Sequence, residues 1–279
     1  MSKLWLSIIK NNKYFFSILA LILVFAAFLI SDLVFTIYYP QMSGSSSFIS
    51  PTERLSIYFS FFTTQTNYLV VIYLFFTLLA ERLDKKFKVN FHLLLAITVY
   101  ITVTMFVFWT GLIGDILEAG TQNYWSQAYA WIKTIVLHFI IPVIMIVYFV
   151  LISGKNQISY KTYYKLYIWL ILVYPVLYLT AVMIRGDLRY QQGYRGSSCF
   201  PYFFLNYHQN GVLVFGLAIF LILIFILLLI HLYIWVNNFR FKQIANKKLL
   251  AQKEVAEVTN EQVLIEQKEP LTKTEKLKK

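Results

Sequence analysis

The residue types that together perform acyl transfer lie inside the most apolar stretches of this chain. Phe62-Thr63-Thr64-Gln65-Thr66-Asn67 sets hydroxyls and amides in succession, and Val136-Leu137-His138-Phe139-Ile140-Ile141-Pro142 holds an imidazole. Asp32 is the one carboxylate well inside an apolar run. An imidazole can take the proton of a hydroxyl while the oxygen attacks an ester carbonyl. An acid can hold the imidazole tautomer, and an amide can donate to the oxyanion. In that scheme Thr63 or Thr64 is the nucleophile, His138 the base, Asp32 the orienting acid, and Gln65 or Asn67 the oxyanion donor. On a helix Thr63, Thr66 and Asn67 share one face, with Thr64 at its margin. Trp109 and Thr110 add polar groups near the end of a third run. Each residue also has a structural reading. Threonines bond back to the preceding turn or join helices, and a membrane histidine does the same. Asp32 has a candidate partner in Lys133, which could instead snorkel to the surface. Pro142 frees a carbonyl one turn earlier, near His138, and kinks the helix.

The elements that must position these groups are six apolar runs, residues 14–39, 56–79, 91–112, 128–151, 164–184 and 212–236. Each meets the roughly 20 residues that a helix needs to cross about 30 Å of hydrocarbon. Apolar residues make up 59% of the chain and charged ones 14%, which removes soluble folds from consideration. The expected class is an all-α polytopic membrane protein, with six transmembrane helices in one antiparallel bundle. The expected division is a short N-terminal segment over 1–13, a membrane domain over 14–236 and a charged tail over 237–279. The first run is too long for the apolar part of a cleaved signal peptide. The net charge of +12 alternates with the runs. Lys3, Lys10 and Lys13, then Arg82, Lys85, Lys86 and Lys88, then Lys155, Lys161 and Lys165, and finally the tail all fall on one side. The positive-inside rule makes that side, and both termini, cytoplasmic. The charge is therefore expected to face anionic lipid headgroups, and nucleic acid is not an expected partner.

With this topology, a rise of about 1.5 Å per residue puts Asp32 and Thr63 about 10 Å in from the outer face and His138 about 15 Å in. Polar groups from four helices thus share one layer. Cys199 is the single cysteine, which excludes an intramolecular disulfide, and the four histidines fall at different depths, so no metal or cofactor is expected. Residues 42–52, with Gly44 and Pro51, read as an irregular outer loop ending at the second helix. The outer loop 186–210 is rich in aromatics, among them Tyr190, Tyr194, Phe200, Tyr202 and Tyr207. It is expected to rest at the membrane interface or to fold over the mouth of the bundle as a lid. The tail reads as a solvated helix fading into disorder after Glu269, with a cytoplasmic partner as a candidate ligand.

Four stretches in this order carry a resemblance: Phe62-Thr63-Thr64-Gln65-Thr66-Asn67; Leu137-His138 followed by Pro142; Tyr174-Pro175 with Tyr178 and Gly186; and Pro201-Tyr202-Phe203-Phe204-Leu205-Asn206. Together they resemble the bacterial six-helix relatives of the androgen-induced-protein family of integral membrane proteins, over most of residues 56–211. Eukaryotic members of that family are threonine hydrolases that cleave esters of hydroxy fatty acids with a membrane threonine and a histidine. The resemblance implies His138 as the histidine. Counting back from Asn67 points to Thr64 as the threonine, and the Phe-Thr-x-Gln pattern points to Thr63. It implies nothing for Asp32. The expected function is a lipid-ester hydrolase acting on a fatty-acid ester from the outer leaflet. The alternatives are a non-enzymatic module that binds or transports a small molecule or lipid, and a structural membrane protein with an interaction tail. The excess of lysine over arginine and the abundance of Ile, Phe, Tyr and Asn fit an AT-rich bacterial genome and hence a plasma membrane.

Overall fold

A computed structural model describes residues 3–39, 49–83, 90–113 and 124–275. The Gly44 segment, the turn bearing Lys85, and Asp115 and Glu118 lie outside the described residues. All regular structure among the described residues is helical: α1 (Lys3–Tyr38), α2 (Pro51–Ser60), α3 (Phe62–Leu83), α4 (Phe91–Val107), α5 (Tyr124–Ile135), α6 (Ile141–Ile152), α7 (Ile168–Gln191) and α8 (Tyr207–Glu275). Six helical stretches are long and apolar enough to cross a membrane, so the chain is an all-α polytopic membrane protein. α5 and α6 form one span, joined by a π turn at Val136–Ile140. Two further π turns, Phe108–Leu112 after α4 and Tyr163–Tyr167 before α7, widen the helix where they occur.

α4 is the centre of the bundle. It packs against α3, α6, α7 and α8. Residues 94–104 are buried without interruption, as expected of a helix apolar on all sides. α1 packs on α2 and α3. The guanidinium of buried Arg54 in α2 donates from Nε to the carbonyl of Ile37 at 3.1 Å, occupying one of the unpaired carbonyls at the end of α1.

The second apolar run, expected as one helix over 56–79, is two. Pro51 sits in the first turn of α2, with Ser50 Oγ accepting the Glu53 N–H at 3.2 Å. α2 then stops at Phe61, whose φ of −79° and ψ of 129° are extended. Side chains satisfy the backbone groups freed by the break. Gln65 Nε2 donates to the Phe59 carbonyl at 2.7 Å, Tyr178 Oη donates to the Ser60 carbonyl at 2.9 Å, and the Thr63 N–H donates to Tyr202 Oη at 3.3 Å. Non-helical backbone survives at membrane depth only when buried in protein in this way.

The two intramembrane prolines follow the same logic. Pro142 leaves the His138 carbonyl without its helical donor, and Trp109 Nε1 donates to it at 2.9 Å. Pro175 leaves the Ile171 carbonyl free, and Tyr100 Oη donates to it at 2.7 Å. Aromatic residues of the third span thus cap both kinks.

α7 continues to Gln191, beyond the apolar run that ends at 184. Residues 192–206 then fold back on the bundle. Cys199, Phe200, Tyr202 and Leu205 are buried against Val182, with Phe61, Phe62 and Leu112 around them. Arginines clamp the segment: Arg185 Nη1 donates to the Cys199 carbonyl at 2.9 Å and its Nε to Ser56 Oγ at 3.0 Å, while Arg189 Nε donates to the Ser198 carbonyl at 2.6 Å and pairs with Glu53. Part of the loop expected over 186–210 thus packs on the bundle through Cys199, Phe200, Tyr202 and Leu205. The last span breaks at Gly211, with φ of +82°, so its continuous part begins at Val212 as the sequence predicts. The helix then runs on to Glu275, past the expected fading point at Glu269.

Candidate functional site

The residues singled out in the sequence fall into three neighbouring groups. The first surrounds Asp32. It is fully buried, and its Oδ1 accepts from Lys133 Nζ at 2.9 Å and from Tyr129 Oη at 2.7 Å. Lys133 thus serves as the partner foreseen for it. This pair ties α1 to α5, and no hydrogen bond joins Asp32 to His138.

The second group surrounds His138. The π turn and Pro142 set its position, and its ring stacks on Phe108 with centroids 3.7 Å apart. Nδ1 lies 3.1 Å from the Thr134 carbonyl. A carbonyl only accepts, so the proton sits on Nδ1 and Nε2 carries the lone pair. Asn67 is buried; its Nδ2 donates to the Thr63 carbonyl at 2.8 Å and to the Leu137 carbonyl at 3.3 Å, bridging α3 to the fourth span beside the histidine. Trp109 touches His138 through its backbone carbonyl alone among hydrogen-bonding groups.

The third group surrounds Thr63. Its Oγ1 is 3.4 Å from Tyr202 Oη, and its N–H bonds the same oxygen. Burial holds the Tyr202 phenol above its ordinary range, so it stays a neutral hydroxyl able to donate. Gln65 is engaged at both ends, donating to Phe59 and accepting from Tyr174 Oη at 3.0 Å. Thr66 Oγ1 lies 3.1 Å from the Thr63 carbonyl and 3.0 Å from Thr104 Oγ1. Thr64 is buried, and no hydrogen bond joins it to His138.

Thr63 and Thr104 open onto a cleft of about 220 Å³ between α7 and α8. One wall is Leu172, Pro175, Val176 and Leu179, and the other is Ile219, Ile222, Leu223 and Ile226. Thr63, Tyr178 and Tyr202 add hydroxyl-bearing residues to the lining, Thr63 lying 3.4 Å from Tyr202 Oη and Tyr178 donating to the Ser60 carbonyl. Val176 and Leu223, at 59% and 40% exposure, place the opening on the lateral face of the bundle. His138 does not line this cleft. The break at Phe61 turns Thr63 toward Tyr202, and the stack on Phe108 holds the imidazole toward the third span. The threonine and the histidine therefore share a layer without sharing a hydrogen bond.

The sequence reasoning passed over Tyr174, Tyr178 and Tyr202 as site residues. Their signal was their place in the motifs around Pro175 and Pro201, next to backbone that needs donors. No group of three or more His, Cys, Asp or Glu able to hold a metal occurs among the described residues. Comparison with family models, curated proteins and solved structures gives no match for this chain.

Proposed function

We propose that this membrane protein takes one acyl chain of a membrane lipid into the cleft between α7 and α8, with the carbonyl end of that chain at Thr63 and Tyr202. The carrying observation is the cleft itself: an apolar slot opening sideways, with Thr63 and Tyr202 together in its lining. Apolar contact alone gives a lipid tail little reason to leave the bilayer, because neighbouring tails are equally apolar. Retention therefore rests on fit and on the Thr63 and Tyr202 hydroxyls, which can donate to an ester or carboxyl oxygen, the Tyr178 hydroxyl being committed to the Ser60 carbonyl. Lysine placement supports cytoplasmic termini, and the excess of lysine over arginine with abundant Ile, Phe, Tyr and Asn supports a bacterial plasma membrane, with the helical tail as a docking arm for a cytoplasmic partner.

A second reading is the ester hydrolysis that the resemblance implies. It is favoured by Thr63 lining the cleft and by the lone pair of His138 Nε2. In that reaction Oγ1 attacks the acyl carbonyl, its proton passes to a base, the alcohol leaves, and water releases the acid from the threonine ester. It ranks second because no base contacts Thr63 here. Purified protein given a labelled fatty-acyl ester separates the two. Binding predicts retention of the intact ester, lost when Leu223→Trp fills the cleft, with no fatty acid released. Hydrolysis predicts release that disappears in Thr63→Val and in His138→Ala. Retention unchanged in Leu223→Trp, with no release, would refute both.

A further inference from the structure

The opposite end of the bundle holds a second pocket, of about 390 Å³, within the size range of small-molecule sites. It lies between the start of α4, the turn after α6 and the π turn at Tyr163–Tyr167. We propose that it binds a phosphate-bearing polar group.

The turn that forms one wall is fixed before any ligand arrives. Gly154, with φ of +86°, donates its N–H to Asn237 Oδ1 at 2.8 Å. Asn237 Nδ2 donates to the Asn156 carbonyl at 2.9 Å. Asn238 both accepts from the Ile158 N–H at 2.8 Å and donates to the Ile158 carbonyl at 2.9 Å. Two adjacent asparagines of α8 thus take up the turn's backbone groups. Lys155 and Gln157, whose side chains are not used in holding the turn, line the pocket with Thr162.

The deep wall carries the unexplained groups. Tyr163 is 0% exposed and lines the pocket, and its hydroxyl has no hydrogen-bond partner. His92 lines the same pocket, its Nδ1 is likewise buried without a partner, and its ring stacks on Tyr167 at 3.8 Å. Buried hydroxyls are seldom left unpaired, because an unmade hydrogen bond retains the full desolvation penalty. Among the described residues no carboxylate lines the pocket. An ammonium, hydroxyls and an amide without a competing acid match the oxygens of an anion. The start of α4 adds the positive end of a helix dipole, with Asn90 Oδ1 accepting the His92 N–H at 2.9 Å. Among the described residues a cation finds no charged ligand here, and an apolar tail would leave these donors unmet. The phosphate could belong to an anionic lipid headgroup in the adjacent leaflet or to a soluble metabolite.

The test uses the full chain purified in detergent, with thermal unfolding followed against two probes. These are glycerol 1-phosphate and a short-chain phosphatidylglycerol, with short-chain diacylglycerol as the uncharged control. Binding by either phosphate probe, weakened about tenfold in Tyr163→Phe and in Lys155→Gln, supports the site. Response to the lipid alone identifies a headgroup site, and response to glycerol 1-phosphate as well identifies a site for soluble phosphates. Tyr163→Phe keeps the ring and removes only an unpaired hydroxyl, so the free protein should unfold no earlier than wild type. No response to either probe in well-folded protein, or equal responses in wild type and both variants, would overturn the proposal. So would an equal response to diacylglycerol.

Discussion

Gly186→Ala tests how closely the folded-back loop is tied to the cleft. A Cβ built on Gly186 falls 2.2, 2.5 and 2.7 Å from three carbons of the Phe200 ring. Ordinary contact begins at 3.4 Å, so the ring must retreat by about 3.4 − 2.2 = 1.2 Å. It has little room, being 2% exposed and flanked by Tyr207 and His208. Overpacking of this kind costs about 1–3 kcal/mol. Tyr202 is two residues further along, so backbone adjustment that lets the ring retreat should lengthen its 3.3 Å bond to the Thr63 N–H. The expected result is an earlier thermal transition in detergent, faster tryptic cleavage at Arg195, and weaker acyl retention. Phe200→Leu, introduced alone and in the Gly186→Ala background, isolates the contact. The second substitution should be less damaging in the alanine background, with a coupling of about 0.5–3 kcal/mol. A neutral Gly186→Ala, or penalties that simply add, would refute the packing argument.

Trp109→Phe should destabilise by about 1–2 kcal/mol because it leaves the carbonyl freed by Pro142 without a donor, and the loss should shrink when Pro142→Ala restores a backbone N–H; paired unfolding curves measure this. Lys133→Met leaves the buried Asp32 bonded to Tyr129 but without its cation and should cost about 3 kcal/mol, with much of it recovered in the Asp32→Asn, Lys133→Met double variant, as read by unfolding in detergent. Burial raises the Cys199 thiol above its ordinary value. Less of it is therefore thiolate at neutral pH, and maleimide labelling followed by mass spectrometry should be slow near pH 7, faster as pH rises, and rapid once the chain is unfolded.

The spans were legible because hydrocarbon imposes a length and a composition that no neighbour can override. The Asp32–Lys133 pair was legible for a related reason: a lone charge at that depth needs a partner, and few were available. The break at Phe61 was not, because nothing in Ser60-Phe61-Phe62 departs from a helical pattern. It depends on Gln65, Tyr178 and Tyr202 arriving from elsewhere to bond the freed backbone. The same gap hid the direction of Thr63. Periodicity placed it on a face with Asn67, but the break and Tyr202 decide what that face meets. His138 was read correctly as lying beside a carbonyl freed by Pro142. That the donor is Trp109, and that Phe108 holds the ring, depends on a π turn that sequence periodicity does not encode.

The proposed function requires a lipid tail in the slot between α7 and α8. The direct measurement places the protein in nanodiscs made with a phospholipid that carries a photoreactive diazirine midway along one chain, then maps the adducts by mass spectrometry. Adducts should concentrate on Val176, Leu179, Ile222 and Leu223 and fall away in Leu223→Trp. Adducts spread evenly over outward-facing residues such as Phe16, Trp169 and Leu213, unchanged by that substitution, would contradict it.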